Sequence, residues 1–88
     1  MKTKIFCDIA DFKTIKYFNK QSNVDGFTTN PSLMRLAGAK NYRDYSLKIL
    51  RVCKKKPISF EEFADKPKDM LKQAYEINSW GKNVYVKI

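Results

Sequence analysis

The sequence predicts an α/β fold in which four short parallel strands alternate with helices, in the order β-α-β-α-β-α-β. Two observations indicate this fold. Apolar residues alternate with polar residues in four short runs, whereas the segments between the runs repeat their apolar residues every three to four positions, as amphipathic helices do. No hairpin turn joins consecutive runs, so each connection crosses over through a helix. A parallel sheet with helices packed against it is the expected result.

The four predicted strands place apolar and polar side chains on opposite faces. The runs cover residues 4–9, 24–30, 57–64 and 82–88. In the first run, Ile5, Cys7 and Ile9 share one face, and Asp8 lies on the other. The second run stops at Asn30, because the proline that follows cannot continue a central strand. One face of each strand is therefore suited to a core, and the other carries polar groups.

Capping residues and apolar periodicity mark the helices between the strands. Three residues are predicted as N-caps: Asp11, Asn41 and Asp65. We expect the first helix to run to about Lys20, a short helix after the second strand to stop at Gly38, and the last helix to end at Gly81.

The length and composition limit the kind of protein this can be. Eighty-eight residues form at most one domain, assigned to residues 1–88, and a hydrophobic content of 43% suits a packed core. No apolar run approaches the roughly 20 residues that span a bilayer, and no signal-peptide segment opens the chain. Two cysteines and no histidine indicate neither a disulfide framework nor a zinc site. We expect a soluble, cytoplasmic protein with buried free thiols, no membrane partner and no metal.

The net charge of +9 is concentrated between Lys40 and Lys56, where only Asp44 is acidic. On a helix these cations would lie on the polar side and near the C-terminal end, where the macrodipole favours positive charge. We therefore interpret most of them as a solvated helix face. A small basic module that binds nucleic acid through this helix is the alternative from another functional class, and its affinity would fall steeply with salt.

Five polar residues fall near the C-terminal ends of the predicted strands: Asp8, Thr28, Asn30, Glu61 and Lys87. The C-terminal ends of parallel strands converge in a barrel, so these side chains are expected to meet. A buried lysine amine favours its neutral form, which attacks carbonyl carbon, and nearby carboxylates can move protons. A single lysine near a chain end usually lies on the surface. The carboxylates of Asp8 and Glu61 at equivalent positions of other strands nevertheless favour a catalytic site that includes Lys87.

Four sequence blocks carry a resemblance to a known family. They read IFCDIAD at residues 5–11, DGFTTNPSL at 25–33, ISFEEFA at 58–64 and NVYVKI at 83–88. In this order, and over essentially the whole chain, they resemble the transaldolase family, including its short transaldolase-like and fructose-6-phosphate aldolase members. The Thr-Thr-Asn-Pro-Ser block is a specific signature. The resemblance implies that the chain forms the N-terminal half of a TIM (β/α)8 barrel and uses class I aldolase chemistry, without a metal or an organic cofactor.

The resemblance also implies a role for each polar residue at the strand ends. Lys87 matches the lysine that forms a Schiff base with the ketose, and Asp8 matches the carboxylate that transfers protons. Thr28 and Asn30 match the residues that hold the dihydroxyacetone part of the substrate. Glu61 matches the residue that positions a catalytic water. Fructose-6-phosphate aldolase relatives tend to carry glutamine at that position, so glutamate favours transaldolase.

The reaction implied is the transfer of a dihydroxyacetone unit in the pentose phosphate pathway. Sedoheptulose 7-phosphate and glyceraldehyde 3-phosphate would give erythrose 4-phosphate and fructose 6-phosphate. A fructose-6-phosphate aldolase-like lyase, which releases dihydroxyacetone, is the first alternative, and an inactive half-barrel fragment is another.

Two features depart from the family pattern. Phe27 stands where a smaller aliphatic residue is usual, which would change the packing behind the strand. The chain also stops at Ile88, whereas a complete barrel takes about 200–250 residues, and the phosphate-binding residues would lie in the missing half. Four parallel strands alone leave two unpaired edges. We therefore expect self-association or a complementary half-barrel as partner, with sugar phosphates as substrates.

Overall fold

A computed structural model describes residues 3–88, which form eight helices and strands. In chain order they are β1 (Phe6–Asp8), α1 (Phe12–Phe18), β2 (Gly26–Thr28), α2 (Pro31–Leu36), α3 (Tyr42–Val52), β3 (Ile58–Glu61), α4 (Pro67–Asn78) and β4 (Val84–Lys87). The strands form one sheet in the order β1-β2-β3-β4, and every neighbouring pair is parallel. The predicted α/β architecture is confirmed, and its arrangement is that of half a (β/α)8 barrel.

The helices pack against one face of the sheet, which we call the outer face. Phe27, Ile58 and Phe60 point to this face and are fully buried. Each helix adds a residue to the same core cluster: Ile15 from α1, Met34 from α2, Ile49 from α3 and Ile77 from α4. Burying one side chain of this size contributes roughly 1.5–3 kcal/mol, so this layer holds the fold together. The Phe27 ring is therefore part of the outer-face core.

The opposite face, called here the inner face, is left open by the helices. Phe6 and Tyr85 lie on it with 47% and 64% of their surfaces exposed. Gly26 lies beneath the Phe6 ring, where a Cβ atom would come within 2.6 Å of the ring and 2.5 Å of the Pro57 carbonyl oxygen. Since a backbone carbonyl cannot easily move aside, this close approach explains the glycine in β2.

Two of the three predicted N-caps are confirmed. Asp11 accepts a hydrogen bond from the Thr14 backbone N–H, and Asn41 accepts one from the Asp44 N–H. The prediction of Asp65 as a cap is wrong. The first residue of α4 is a proline, a residue preorganised for the first helical position, so the cap position falls on Lys66, whose side chain makes no capping hydrogen bond.

Several predicted boundaries are too long. The first helix ends at Phe18 instead of Lys20, and α4 ends at Asn78, so Gly81 lies in the turn before β4 instead of ending the helix. Gly38 follows α2 with a φ of 93°, the left-handed conformation expected of a residue that ends a helix. All four strands are also shorter than their sequence runs. Beyond their ends, single backbone bonds continue the ladder, such as Glu62 N–H to the Lys87 carbonyl at 3.0 Å.

Lys56 does not lie on the solvated helix face that the sequence predicts for its segment. Its ammonium group donates to three backbone carbonyls at and after the end of α1: those of Phe18 at 3.4 Å, Gln21 at 2.5 Å and Val24 at 2.5 Å. Nearby, the Asn83 side-chain amide donates to the Lys56 carbonyl at 2.9 Å. These bonds tie the loop before β2 to the loops before β3 and β4, at the N-terminal end of the sheet.

The two thiols differ in environment. Cys53 is buried, as predicted, and burial raises the pKa of its thiol to about 11. Cys7 is only partly buried, because it belongs to the edge strand β1. Within residues 3–88, none of the helices has the length and apolar character that crossing a membrane requires.

Candidate active site

The strand register brings the predicted polar residues to one end of the inner face. Asp8 is the Cα partner of Thr28 across β1 and β2, and Glu61 is the Cα partner of Lys87 across β3 and β4. Side chains of paired residues in parallel strands point to the same face, and these four all lie at the C-terminal ends of their strands. The sequence-based prediction that they face a common mouth agrees with this placement.

Asp8 and Thr28 form a hydrogen-bonded pair. The Thr28 hydroxyl donates to the Asp8 Oδ1 at 2.9 Å. A hydroxyl bound in this way fixes the orientation of the carboxylate and leaves its second oxygen free to accept a proton or another hydrogen bond. Asp8 is exposed, so a small polar ligand on the inner face can reach it.

Lys87 and Glu61 stand side by side on neighbouring strands, but not in the environment predicted for the lysine. The expectation that Lys87 is buried is wrong, since its side chain is exposed. The physical reason is the open inner face: Lys87 lies on it at the end of β4, and none of residues 3–88 forms a layer over it. Glu61 is partly buried, because its strand is central.

Asn30 has a structural role that the sequence interpretation missed. It is the N-cap of α2, with its side-chain Oδ1 accepting from the Leu33 backbone N–H at 2.9 Å. Pro31 occupies the first helical position, so the Asn-Pro pair both ends β2 and begins α2. Because the cap uses only the carbonyl oxygen, the two N–H donors of the Asn30 amide remain available to a ligand. The Asn-Pro-Ser sequence, read as a helix start, would have revealed this cap.

Tyr42 is a second residue whose contribution was not foreseen. In the sequence, Tyr42 is one of the apolar residues that recur with helical spacing after the predicted cap Asn41. Its hydroxyl donates to the Glu61 backbone carbonyl at 3.0 Å, and its ring packs edge-on against Phe60 and Phe63. Burial raises the pKa of Tyr42 to about 12. The outer-face core thereby holds the end of β3 in place, and Glu61 with it.

Ser59 lies on the inner face, two residues before Glu61 and in register with Thr28 and Tyr85. Its backbone carbonyl accepts a hydrogen bond from the Thr29 hydroxyl at 2.8 Å. Its own Oγ is buried and finds no hydrogen-bond partner among residues 3–88. A buried hydroxyl without a partner is unusual, because most buried polar side-chain atoms in proteins make at least one hydrogen bond.

The cations between Lys40 and Lys56 do not form a single free surface. Lys56 is bound to three carbonyls, and the Lys48 ammonium lies 4.4 Å from the centre of the Phe12 ring. Arg35 and Lys40 instead line a cavity of about 370 Å³ beside Pro31, between α2 and the segment after β3. Among the described residues, no cluster of carboxylates and thiols is arranged to hold a metal ion.

Comparison with known proteins finds a family and relatives that match nearly the whole chain. Residues 5–88 match the family described as Transaldolase/Fructose-6-phosphate aldolase. A protein of Dehalococcoides mccartyi named "Probable transaldolase" is 40% identical over 85 residues, covering 97% of this chain and 39% of that protein. A "Probable transaldolase" of Methanococcus vannielii is 40% identical over 87 residues, covering 97% and 39%. One from Lactiplantibacillus plantarum is 37% identical over 87 residues, covering 97% and 38%.

The match covers nearly all of this chain but less than half of each relative. The chain spans about two-fifths of the length of the curated relatives it matches. The family match includes all four strands and every predicted site residue from Asp8 to Lys87. The chain therefore belongs to the transaldolase/fructose-6-phosphate aldolase family.

Proposed function

We propose that this chain carries the Schiff-base part of a transaldolase-type active site. The observation that carries the proposal is the pairing of Glu61 with Lys87 on neighbouring strands, beside the hydrogen-bonded Asp8 and Thr28. One amine and two carboxylates on one open face are the groups needed to form, cleave and release an imine of a ketose. The family membership supports this assignment, since relatives carry the name "Probable transaldolase".

The covalent step begins at the Lys87 amine. In its neutral form it attacks the carbonyl carbon of a ketose phosphate, and the resulting carbinolamine takes up a proton on its hydroxyl and loses water to give an iminium ion. The bond between the third and fourth carbons then breaks, and its electron pair moves into the iminium as an enamine. The fourth carbon leaves as the aldehyde of an aldose phosphate, and its hydroxyl proton passes to the Asp8 carboxylate.

The remaining residues orient the reactants. The Thr28 hydroxyl keeps one Asp8 oxygen in place, which leaves the other oriented for the proton transfer. Glu61 binds the water that is expelled and later returns to hydrolyse the imine. The free N–H donors of Asn30 hold the hydroxyls of the dihydroxyacetone unit. In the transferase reaction, the enamine carbon attacks the aldehyde of a second aldose phosphate, and hydrolysis then releases the new ketose.

A fructose-6-phosphate aldolase-like lyase would share every step up to the enamine. The enamine would then take up a proton, and hydrolysis would release dihydroxyacetone. Glu61 is the feature that favours transfer over release, so Glu61→Gln is the discriminating variant. We expect Glu61→Gln to raise the ratio of dihydroxyacetone released to ketose formed. An unchanged ratio would remove the argument for transfer over release.

The direct experiment is reduction with borohydride in the presence of fructose 6-phosphate. Reduction converts the imine into a stable secondary amine, and peptide mass mapping locates it. We expect the adduct on Lys87 and its loss in Lys87→Arg, which keeps the charge but removes the nucleophilic amine. Lys82→Arg is the matched control, because Lys82 is an exposed lysine just before the same strand. A folded sample that yields no adduct on Lys87 would contradict the proposed chemistry.

A further inference from the structure

The cavity beside Pro31 lies close to the candidate active site but includes none of the five polar residues at the strand ends. It has a volume of about 370 Å³, and all the residues that line it lie between Pro31 and Phe63. The strands beside it, β2 and β3, are the two central strands of the sheet. The cavity therefore does not arise from either edge of the sheet, and its volume is within the range of small-molecule sites.

The walls of this cavity are mostly apolar. Met34 is its most buried lining residue, with 1% of its surface exposed. The Phe63 ring packs edge-on against Tyr42, with 5.4 Å between the ring centres, yet 54% of Phe63 is exposed. Pro31 and Ala39 complete the apolar part of the lining. A flat apolar group in the cavity would cover part of the exposed Phe63 ring and lie against the core.

Two cations, Arg35 and Lys40, complete the lining, and among residues 3–88 no carboxylate belongs to it. Both side chains are exposed. The Arg35 guanidinium donates to the Ser32 hydroxyl at 3.3 Å. Arginine has five N–H donors, so most of them remain available to an anion. The neighbouring cavity between α3 and α4 suits an anion less well, because Glu76 lines it.

The backbone holds the cavity in shape. Gly38 has a φ of 93°, and the Ala39 N–H donates to the Met34 carbonyl at 3.0 Å, which fixes the loop between α2 and α3. On the opposite wall, the Phe63 N–H donates to the Gln73 side-chain oxygen at 2.6 Å. A ligand would thus enter a site that is already formed, which lowers the entropic cost of binding.

We propose that this cavity binds a small aromatic anion, in which an aromatic ring carries a phosphate or a carboxylate group. The ring packs against Phe63 and Met34, and the anionic group lies at Arg35 and Lys40, whose charges complement it. Such a ligand differs from the sugar phosphates of the proposed reaction, which have no apolar ring. The inference rests on the cavity alone and holds whether or not Lys87 forms an imine.

The experiment titrates the chain with naphthyl phosphate and, in parallel, with naphthoate, and follows binding by isothermal titration calorimetry. Inorganic phosphate and naphthol are the comparisons, because each has only one half of the ligand. We expect one site per chain, and binding of either half to be weaker by about tenfold or more. The tighter of the two aromatic anions identifies the preferred anionic group.

Substitutions in the lining test the two halves of the site separately. Arg35→Gln and Lys40→Gln each remove a charged donor and should weaken naphthyl phosphate about tenfold. Phe63→Ala should weaken naphthyl phosphate by a similar factor and leave inorganic phosphate unchanged, since it removes only apolar surface. Arg51→Gln is the matched control, because Arg51 is an exposed arginine in the last turn of α3, and should bind like the unchanged chain. Circular dichroism verifies that each variant is folded.

Nuclear magnetic resonance locates the ligand in the unchanged chain. The backbone amides of Arg35, Ala39 and Phe63 should shift on addition of naphthyl phosphate, and those of Asp8 and Lys87 should not. Absence of binding at millimolar ligand would overturn the proposal. So would inorganic phosphate that binds as tightly as naphthyl phosphate, affinity unaffected by Arg35→Gln and Lys40→Gln, or shifts confined to the strand ends of the inner face.

Discussion

The two faces of the sheet differ in how far this chain completes them. On the outer face, Phe27 and Phe60 are fully buried by helices that the same 88 residues provide. On the inner face, Tyr85 and Lys87 are exposed, although the strand register has already set their positions. The outer face thus supplies the stability, and the inner face carries the polar residues of the candidate site. The arrangement of a site can therefore be determined by the strands before anything encloses it.

The largest contrast between the faces should appear in stability. Phe27→Ala removes a fully buried ring from the outer face and should lower the free energy of unfolding by about 3–5 kcal/mol. Tyr85→Ala removes an exposed ring from the inner face and should lower it by less than about 1 kcal/mol. Urea unfolding of each variant measures both losses. Equal losses would mean that the inner face also contributes to the core.

Lys56 tests how strongly the loops at the N-terminal end of the sheet are held together. Lys56→Met removes the ammonium to which three backbone carbonyls are bonded and should cost about 2 kcal/mol of stability. Lys55→Met is the matched control, since Lys55 is exposed, and should change stability by less than about 0.5 kcal/mol. If both variants melt at the same temperature, the carbonyls are satisfied without Lys56.

Asn30 caps α2 with its side-chain oxygen, and the proposed function assigns its amide donors to substrate binding. Asn30→Ala should lose about 1 kcal/mol of stability. Asn30→Asp keeps the capping oxygen and should stay within about 0.5 kcal/mol of the unchanged chain. Both variants lack the amide donors, so both should trap less borohydride adduct. Full trapping by Asn30→Asp would restrict Asn30 to the helix cap.

Tyr42, which links the outer core to the end of β3, should make the stability of the chain depend on pH. Burial raises its pKa from 10.0 to about 12, so the unfolded chain ionises first as the pH increases. Stability should therefore fall between pH 10 and about 12, and Tyr42→Phe should show a smaller decrease. Cys53 adds a decrease of the same sign from pH 9.0 to about 11 in both proteins. Identical pH profiles would show that Tyr42 keeps no buried hydroxyl.

The sequence predicted most of what depends on local periodicity. The alternation of apolar and polar residues predicted that Asp8, Glu61 and Lys87 lie opposite the aliphatic faces of their strands. The lack of hairpin turns predicted parallel strands, and the two predictions together bring these three residues to one end of the sheet. The Lys56 contacts could not be predicted in this way, because its acceptors lie more than thirty residues earlier in the chain. The exposure of Lys87 was also missed, because the burial of a side chain depends on what covers that face of the sheet and not on the strand to which the residue belongs.

The predictions of where helices begin were wrong or incomplete at two positions, and in both a proline is the first residue of the helix. Asp65 has the right side chain for a cap, but the proline two residues later sets the first helical position and moves the cap to Lys66. At Asn30 the same chemistry was present and was interpreted only as the end of a strand. In both places the proline marks the first residue of the helix, and the residue before it is the one to examine as the cap.

The central claim is that the inner face carries one reactive amine, and the position of the borohydride adduct tests it most directly. Trypsin does not cleave after a modified lysine, so an adduct on Lys87 leaves residues 83–88 as one peptide that carries the added carbon chain. We expect this peptide to gain mass when fructose 6-phosphate is present, and no other lysine-containing peptide to do so. Adducts spread over exposed lysines such as Lys55 and Lys82, with none favoured on Lys87, would contradict it.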